Sequence, residues 1–490
     1  GLSMESLRCA AHPSQGYAAL LAMSQLPHLG DVRLLHLTDA LLGLLALAGI
    51  RIALRRVFPD PALARELDLV TLACAVHPVV LSTLLQVNID FGVYVFFFAA
   101  LAALLEERFG WTVVAGLFLC FSKEPGVPAY ALLIGFDALR RGATGAGDWK
   151  SRVAGALRLW PTVIPLAAFA LHVSLWNAAH PDPAVWKHGW QKHTADGFNF
   201  FDLSDPIFLS YAAGIFVLGF LWVVSTIIAA DLLVGGVRMA QRRPQRAVPG
   251  ADRPRLAQLT VLTVVLTWLL TSFRTWSNLR YFALLYPLFV ILAFAALLRL
   301  GASARVRLGM LAAIVALFIL ASYRSVDPVS RAVYGTFPIG ERAMYRMASI
   351  TGEYAGPGRD ELVYNLEFTG FHHVQDALFG RLHPGDSTVI IAPSLVRWSL
   401  WSPLDSSTFA RTLRAPHAFS PRYGDEASLG KLGNPRELWF LEFSNRPDRD
   451  ATLENLVKRG FVDTGVERAA ARGHVLVAHH LVRREPPVLP

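Results

Sequence analysis

The sequence Ser122-Lys123-Glu124-Pro125-Gly126 stands between two apolar runs, Trp111 to Phe121 and Val127 to Phe136. It limits the folds open to this chain more than any other stretch. A helix of about 12 residues rises only ~18 Å, against a hydrocarbon layer of ~30 Å. With Arg108 and Arg140-Arg141 closing the far ends, the chain enters the apolar layer, turns past its midplane at Lys123 and returns. A cation at that depth costs about 2.5 to 3.5 kcal/mol on insertion scales. Broken helix is tolerated there only inside protein or beside a water-filled cavity. A buried cavity holding Lys123 is therefore expected. Asp90, which opens the apolar run ending at Leu105, is expected near the same level.

The rest of the chain repeats this alternation. Apolar segments lie at roughly 34–54, 67–87, 90–105, 111–122, 126–137, 159–178, 207–233, 256–273, 280–299 and 306–322. The composition agrees: 53% hydrophobic and 17% charged, where a soluble protein carries about 25% charged residues. The net charge of +9 does not point to nucleic acid, because the excess sits in short connections between apolar runs. One alternating set of connections, from Arg51 to Arg307, holds about 19 cations; the other holds about six, among them Lys123, Lys187 and Arg280. Lys and Arg stay inside, so the first set is expected in the cytoplasm. The first loop (1–33), the loop 177–206 and everything beyond 323 then face outward. The cysteines Cys9, Cys74 and Cys120 imply neither a disulfide framework nor a thiolate metal site. The sequence opens without Met or a signal peptide and runs from a mid-polar loop, Gly1 to Asp31, straight into an apolar segment. That opening is expected of a chain lacking its natural beginning.

Three parts follow: an outward first loop 1–33, a transmembrane domain 34–323 and a soluble domain 324–490. In the last, Thr388 to Ala392 and Glu437 to Phe443 read as buried strands, Asp450 to Arg459 as a helix closed by Gly460, and His474 to Val482 as a final strand. Strands spaced by a helix predict a small α/β layer. No glycine-rich phosphate loop is present, so nothing announces a nucleotide.

An ordered set of short motifs runs through the first 300 residues: His12-Pro13; Asp31-Val32-Arg33-Leu34-Leu35; Arg51 with Arg55-Arg56; His77-Pro78; Asn88-Ile89-Asp90; Ser122 to Gly126; and Arg280-Tyr281 with Pro287. The set resembles the GT-C superfamily of polyprenyl-phosphate-sugar glycosyltransferases, nearest the protein O-mannosyltransferase and lipid A aminoarabinose transferase branch. The resemblance implies a mainly α fold: a polytopic helical membrane domain of about ten segments, including one re-entrant pair, with a periplasmic α/β domain. It implies a multi-pass protein of the bacterial inner membrane that transfers a sugar from a polyprenyl-phosphate donor to an outward-facing protein, lipid or polysaccharide. By position, Asp90 would be an acid of the cavity, and Lys123 and Arg280, with Tyr281 beside them, would face the lipid phosphate. His12 would sit where the first loop turns toward that phosphate. The family's principal acid lies upstream of the His-Pro motif; only Glu5 is available there, so Glu5 or Asp90 is expected in the catalytic role.

The chemistry needs a base within hydrogen-bond reach of the acceptor and fixed positive charge on the leaving phosphate. A carboxylate and two cations supply both. It requires no nucleotide; a divalent metal is compatible with it, but no ligand set stands out. Plainer roles stay open. Asp90 suits a helix cap, Lys123 and Glu124 suit interhelical ion pairs, and Arg280 suits snorkelling into headgroups. In the loop after Ala179, Trp186, His188, Trp190 and His193 suit interfacial anchoring or stacking on sugar or acceptor; their spacing matches no metal pattern. Two other classes also fit broken helices with charges at mid-membrane: a transporter or lipid flippase, and a non-catalytic relative that binds a glycan or partner.

Overall fold

The structure, a computed structural model, describes residues 16–28, 32–85, 89–144, 150, 153, 157–179, 216, 222–244, 246–271 and 279–323, and farther on 336–339, 342–345, 388–391, 418–419, 436–443, 451–471 and 474–483. The chain divides into two compact units. One comprises Gly1–Thr336 with Tyr345–Leu362, the other Phe337–Met344 with Val363–Pro490.

The first unit is helical. Its described helices are α1 (Gly16–Ser24), α2 (Val32–Val57), α3 (Ala64–Ala75), α4 (Pro78–Leu85), α5 (Ile89–Leu105), α6 (Phe109–Ser122), α7 (Gly126–Thr144), α8 (Ile164–Ala179), α9 (Val223–Ala240), α10 (Arg253–Thr271), α11 (Leu285–Arg299) and α12 (Ala304–Tyr323). Among the described residues, Arg33–Val57, Trp160–Ala178, Val223–Ala240 and Arg253–Thr271 are long and apolar enough to cross a membrane. Helices α5 and α11 are apolar all round and almost wholly buried, as a core position demands.

Two expectations need correction. The stretch Gly1 to Asp31, read as a loop, contains α1, whose Ala, Leu and Met are strong helix formers anchored by fully buried Tyr17. The single segment 67–87 is a pair of helices bent by 51°, Pro61–Ala75 and Pro78–Leu85. Pro78 lacks the amide that would continue the first helix and drives His77 out of helical geometry.

Arginines mark one pole of the helical unit. Arg56 at the end of α2 donates to Glu106 past the end of α5, at 2.8 Å from Nη2 to Oε2, and Arg141 at the end of α7 reaches Glu107 at 3.1 Å. Arg140 and Arg141 both bind buried Asp137, each at 2.6 Å. Arg307 near the start of α12 meets Glu66 at 2.9 Å near the start of α3, and Arg299 at the end of α11 pairs with Asp231 of α9. Arg255 of α10 donates to the Arg56 carbonyl at 3.2 Å. The basic connections are thus knit into a single charged layer.

The chain folds back at Lys123. Helices α6 and α7 pack antiparallel, with Tyr130 against Gly116 and Gly126 against Leu119. A Cβ on Gly126 would stand 2.1 Å from the Leu119 carbonyl oxygen, so only glycine fits this turn. The Tyr130 hydroxyl donates to the Thr162 carbonyl at 2.8 Å and ties the hairpin to the start of α8.

The second unit contains a five-stranded mixed sheet ordered β4-β3-β5-β7-β6 (Ala418–Phe419, Thr388–Ile391, Glu437–Phe443, His474–Arg483 and Phe461–Ala471). A separate two-stranded sheet pairs β1 (Thr336–Ile339) with β2 (Arg342–Tyr345). Strand β3 runs parallel to β4 and β5, and β7 antiparallel to β5 and β6. Helix α13 (Ala451–Lys458) is followed by Gly460 at φ +87°, the left-handed stop its position predicts. Strand β6 escapes sequence reading because it lies at the sheet edge, exposes Asp463 to Val466 and carries an irregularity between Asp463 and Gly465.

The hairpin yields a direct test. Gly126→Ala is expected to destabilise the protein by about 1 to 3 kcal/mol, because backbone must move to admit the methyl group. Gly135→Ala, where a Cβ meets nothing within 4 Å, is expected to be neutral or to stabilise by up to about 1 kcal/mol. Thermal unfolding in detergent micelles measures both.

Candidate active site

At the pole opposite the arginine layer, three helix ends converge. Asp90 lies in the first turn of α5, Lys123 just past the last residue of α6, and Arg280 in the 3₁₀ turn Leu279–Phe282 that precedes α11. The Lys123 Nζ donates to Asp90 Oδ1 at 2.6 Å, and Arg280 Nε donates to Asp90 Oδ2 at 3.1 Å. One carboxylate therefore spans two cations, one through each oxygen. The Asp90 and Arg280 side chains are 4% and 5% exposed and Lys123 is 16% exposed, so water screens these pairs weakly. The Tyr281 ring lies under Lys123 Nζ at 3.9 Å and 5.5 Å from the Arg280 guanidinium carbon, adding cation–π attraction to both.

Local sequence dictates each placement. Lys123 is fully extended at φ −164°, ψ 158°, because Pro125 cannot continue α6; its carbonyl then accepts from the Gly126 amide at 2.9 Å. The three helices that bring the ions together are the three shorter apolar ones, at 17, 14 and 15 residues. They rise only about 26, 21 and 23 Å from the arginine layer. The ions therefore stop short of the ~30 Å that a hydrocarbon layer requires, and protein rather than lipid must surround them.

Of the residues singled out in the sequence, Asp90, Lys123, Arg280 and Tyr281 come together. Arg280 turns inward to Asp90 rather than outward to headgroups. Glu5, His12, Trp186, His188, Trp190 and His193 lie outside the described residues. No group of three or more His, Cys, Asp or Glu side chains able to hold a metal is found among the described residues. Sequence reading passed over Asp39 and Tyr17. Asp39 is fully buried in apolar α2 and accepts a hydrogen bond from the Tyr17 hydroxyl of α1. The signal was available, since an acid within an apolar membrane segment marks a functional candidate by default.

No protein-family model matches the chain, and no curated protein sequence does. Among solved structures, the crystal structure of ArnT from Cupriavidus metallidurans bound to undecaprenyl phosphate matches with a TM-score of 0.51 at 17% identity, covering 95% of this chain and 87% of that one. The chain shares its fold with ArnT. The apo state of ArnT matches with a TM-score of 0.48 and 17% identity. The shared fold meets the expectation of a mainly helical unit with a small sheet later in the chain.

Removing Asp90 leaves Lys123 and Arg280 facing each other in a weakly screened site. Asp90→Ala is expected to destabilise the protein by about 3 kcal/mol, the scale for breaking a buried ion pair. Lowered thermal unfolding in detergent checks this, with Asp68→Ala, whose 66% exposed side chain pairs with Arg51, expected to be nearly silent.

Proposed function

We propose that this protein is an integral membrane glycosyltransferase that moves a sugar from a polyprenyl-phosphate carrier to an acceptor at the outer face of a bacterial inner membrane. One observation carries the reading: Asp90, Lys123 and Arg280 meet in a buried site at the ends of three short apolar helices. The fold shared with ArnT, which was crystallised with undecaprenyl phosphate, supports the same class of lipid carrier for this chain. The basic pole faces the cytoplasm, so the ion site opens outward, and the sheet-bearing unit is periplasmic.

Lys123 supplies a compact charge and Arg280 a planar fork suited to two phosphate oxygens. In the ligand-free arrangement Asp90 occupies the donors that a phosphate would take. A bound donor draws Lys123 and Arg280 onto its phosphate oxygens and releases the carboxylate toward the acceptor. The acceptor oxygen or nitrogen then attacks the anomeric carbon, and the bond from that carbon to the phosphate oxygen breaks. Its electron pair leaves with the polyprenyl phosphate, whose growing charge the two cations stabilise. The acceptor's proton passes to a carboxylate, Asp90 in this reading, with Glu5 the other candidate. After transfer, the carboxyl gives up that proton to water at the outer face, and Asp90, again ionised, recaptures both cations and helps expel the lipid phosphate. Attack opposite the leaving group inverts the anomeric centre.

The test is transfer of a labelled sugar from its lipid carrier in isolated membranes. Lys123→Ala and Arg280→Ala are each expected to lower the rate by about 10²-fold or more, the scale for removing one preorganised charge-stabilising donor. Undiminished transfer in both variants contradicts the mechanism.

A further inference from the structure

The other buried acids described in the helical unit face arginines: Glu66 meets Arg307, Asp137 meets Arg140 and Arg141, Asp231 meets Arg299 and Asp90 meets Arg280. Asp39 has no such partner. Its Oδ1 accepts from the Tyr17 hydroxyl, its Oδ2 has no hydrogen-bond partner among the described residues, and the side chain is wholly buried. A pair serving stability alone is better made with a neutral acceptor, because the unsatisfied oxygen of a buried carboxyl costs stability.

The surroundings of the pair indicate its use. Helices α2 and α5 run side by side, Gly49 on Phe98 and Gly43 on Phe91, and the same spacing carried toward their starts brings Asp39 to within about one helical turn of the level of Asp90. The Tyr17 ring fills the space over Gly92, where a Cβ would lie 2.7 Å from the ring and 2.9 Å from Ser122 Oγ. The neighbouring Gly16 presses on Phe121, a Cβ there lying 2.8 Å from the Phe121 Cβ. Helix α1 is thus wedged against the last turn of α6, immediately before Lys123, and against α5 two residues beyond Asp90. The Tyr17–Asp39 hydrogen bond fastens this wedge to α2.

We propose that Tyr17 and Asp39 are positioning residues for the phosphate site, holding α1 against the Lys123 turn so that the ammonium and Arg280 present a fixed spacing to a lipid phosphate. The inference rests on the phosphate-binding reading of Lys123 and Arg280. Neither Tyr17 nor Asp39 touches the lipid; each acts through the position of Lys123.

Binding of undecaprenyl phosphate to the purified full chain in nanodiscs separates the two claims, with melting temperature recorded for every variant. The wild type binds and Lys123→Ala binds at least tenfold more weakly. Tyr17→Phe, which keeps the ring, binds about tenfold more weakly, equivalent to about 1.4 kcal/mol. Asp39→Asn does the same, and the double variant is no weaker than the weaker single, because one hydrogen bond joins the two residues. Gly92→Ala, which displaces the ring but keeps both polar groups, reproduces the loss and stands in should Asp39→Asn fail to fold. Wild-type binding that Lys123→Ala lowers but Tyr17→Phe and Gly92→Ala leave intact overturns the positioning role alone. A wild type that does not bind, or a Lys123→Ala that binds equally, overturns both.

Discussion

A carboxylate held between a lysine and an arginine, inside an apolar helical unit, is the interaction on which the rest of this structure depends. Asp90 is 33 residues from Lys123 and 190 from Arg280 along the chain, so the contact fixes three distant helices against one another. None of the three ions can be left facing acyl chains without a cost of several kcal/mol. The fold meets that constraint by shortening α5, α6 and α11, by breaking the backbone at Lys123 and by surrounding the ends with buried aromatic side chains. Gly92 and Gly126 serve the same end, allowing approaches that any side chain would prevent.

The two poles of the helical unit use charge differently. At the arginine pole, acids and bases are paired across helix ends, with Asp137 serving two arginines and Glu66 one, and the result is a tied layer. At the other pole two cations share one carboxylate and an aromatic ring. A carboxylate in that place resembles the anion it would yield to: both offer oxygens to the same ammonium and guanidinium. In the proposed mechanism that equivalence lets a phosphate-bearing lipid compete for the two cations, and the release of Asp90 follows from binding rather than from a separate step.

Much of this was legible in the sequence. Arginine asymmetry and the interruption at Lys123 are local signals, and they located the folded-back hairpin and most helix ends within a few residues. Asp90, Lys123 and Arg280 were identifiable because charge within an apolar segment is improbable without a partner. Their meeting was not readable from periodicity; the resemblance supplied it as an expectation. Asp39 was hidden in a long apolar run where neighbouring leucines dominate any average. Helix α1 was hidden because its nine residues are too few to stand alone and are held by tertiary contacts of Tyr17. The bend at His77-Pro78 was masked by continuous hydropathy on both sides, and edge strand β6 by its charged, exposed middle.

Electron cryomicroscopy of the full chain in nanodiscs with undecaprenyl phosphate tests the account most directly. The account predicts phosphate density in contact with both the Lys123 ammonium and the Arg280 guanidinium, with Asp90 moved off at least one of them. Phosphate density elsewhere, or Lys123 and Arg280 both still held by Asp90 beside a bound lipid, contradicts it.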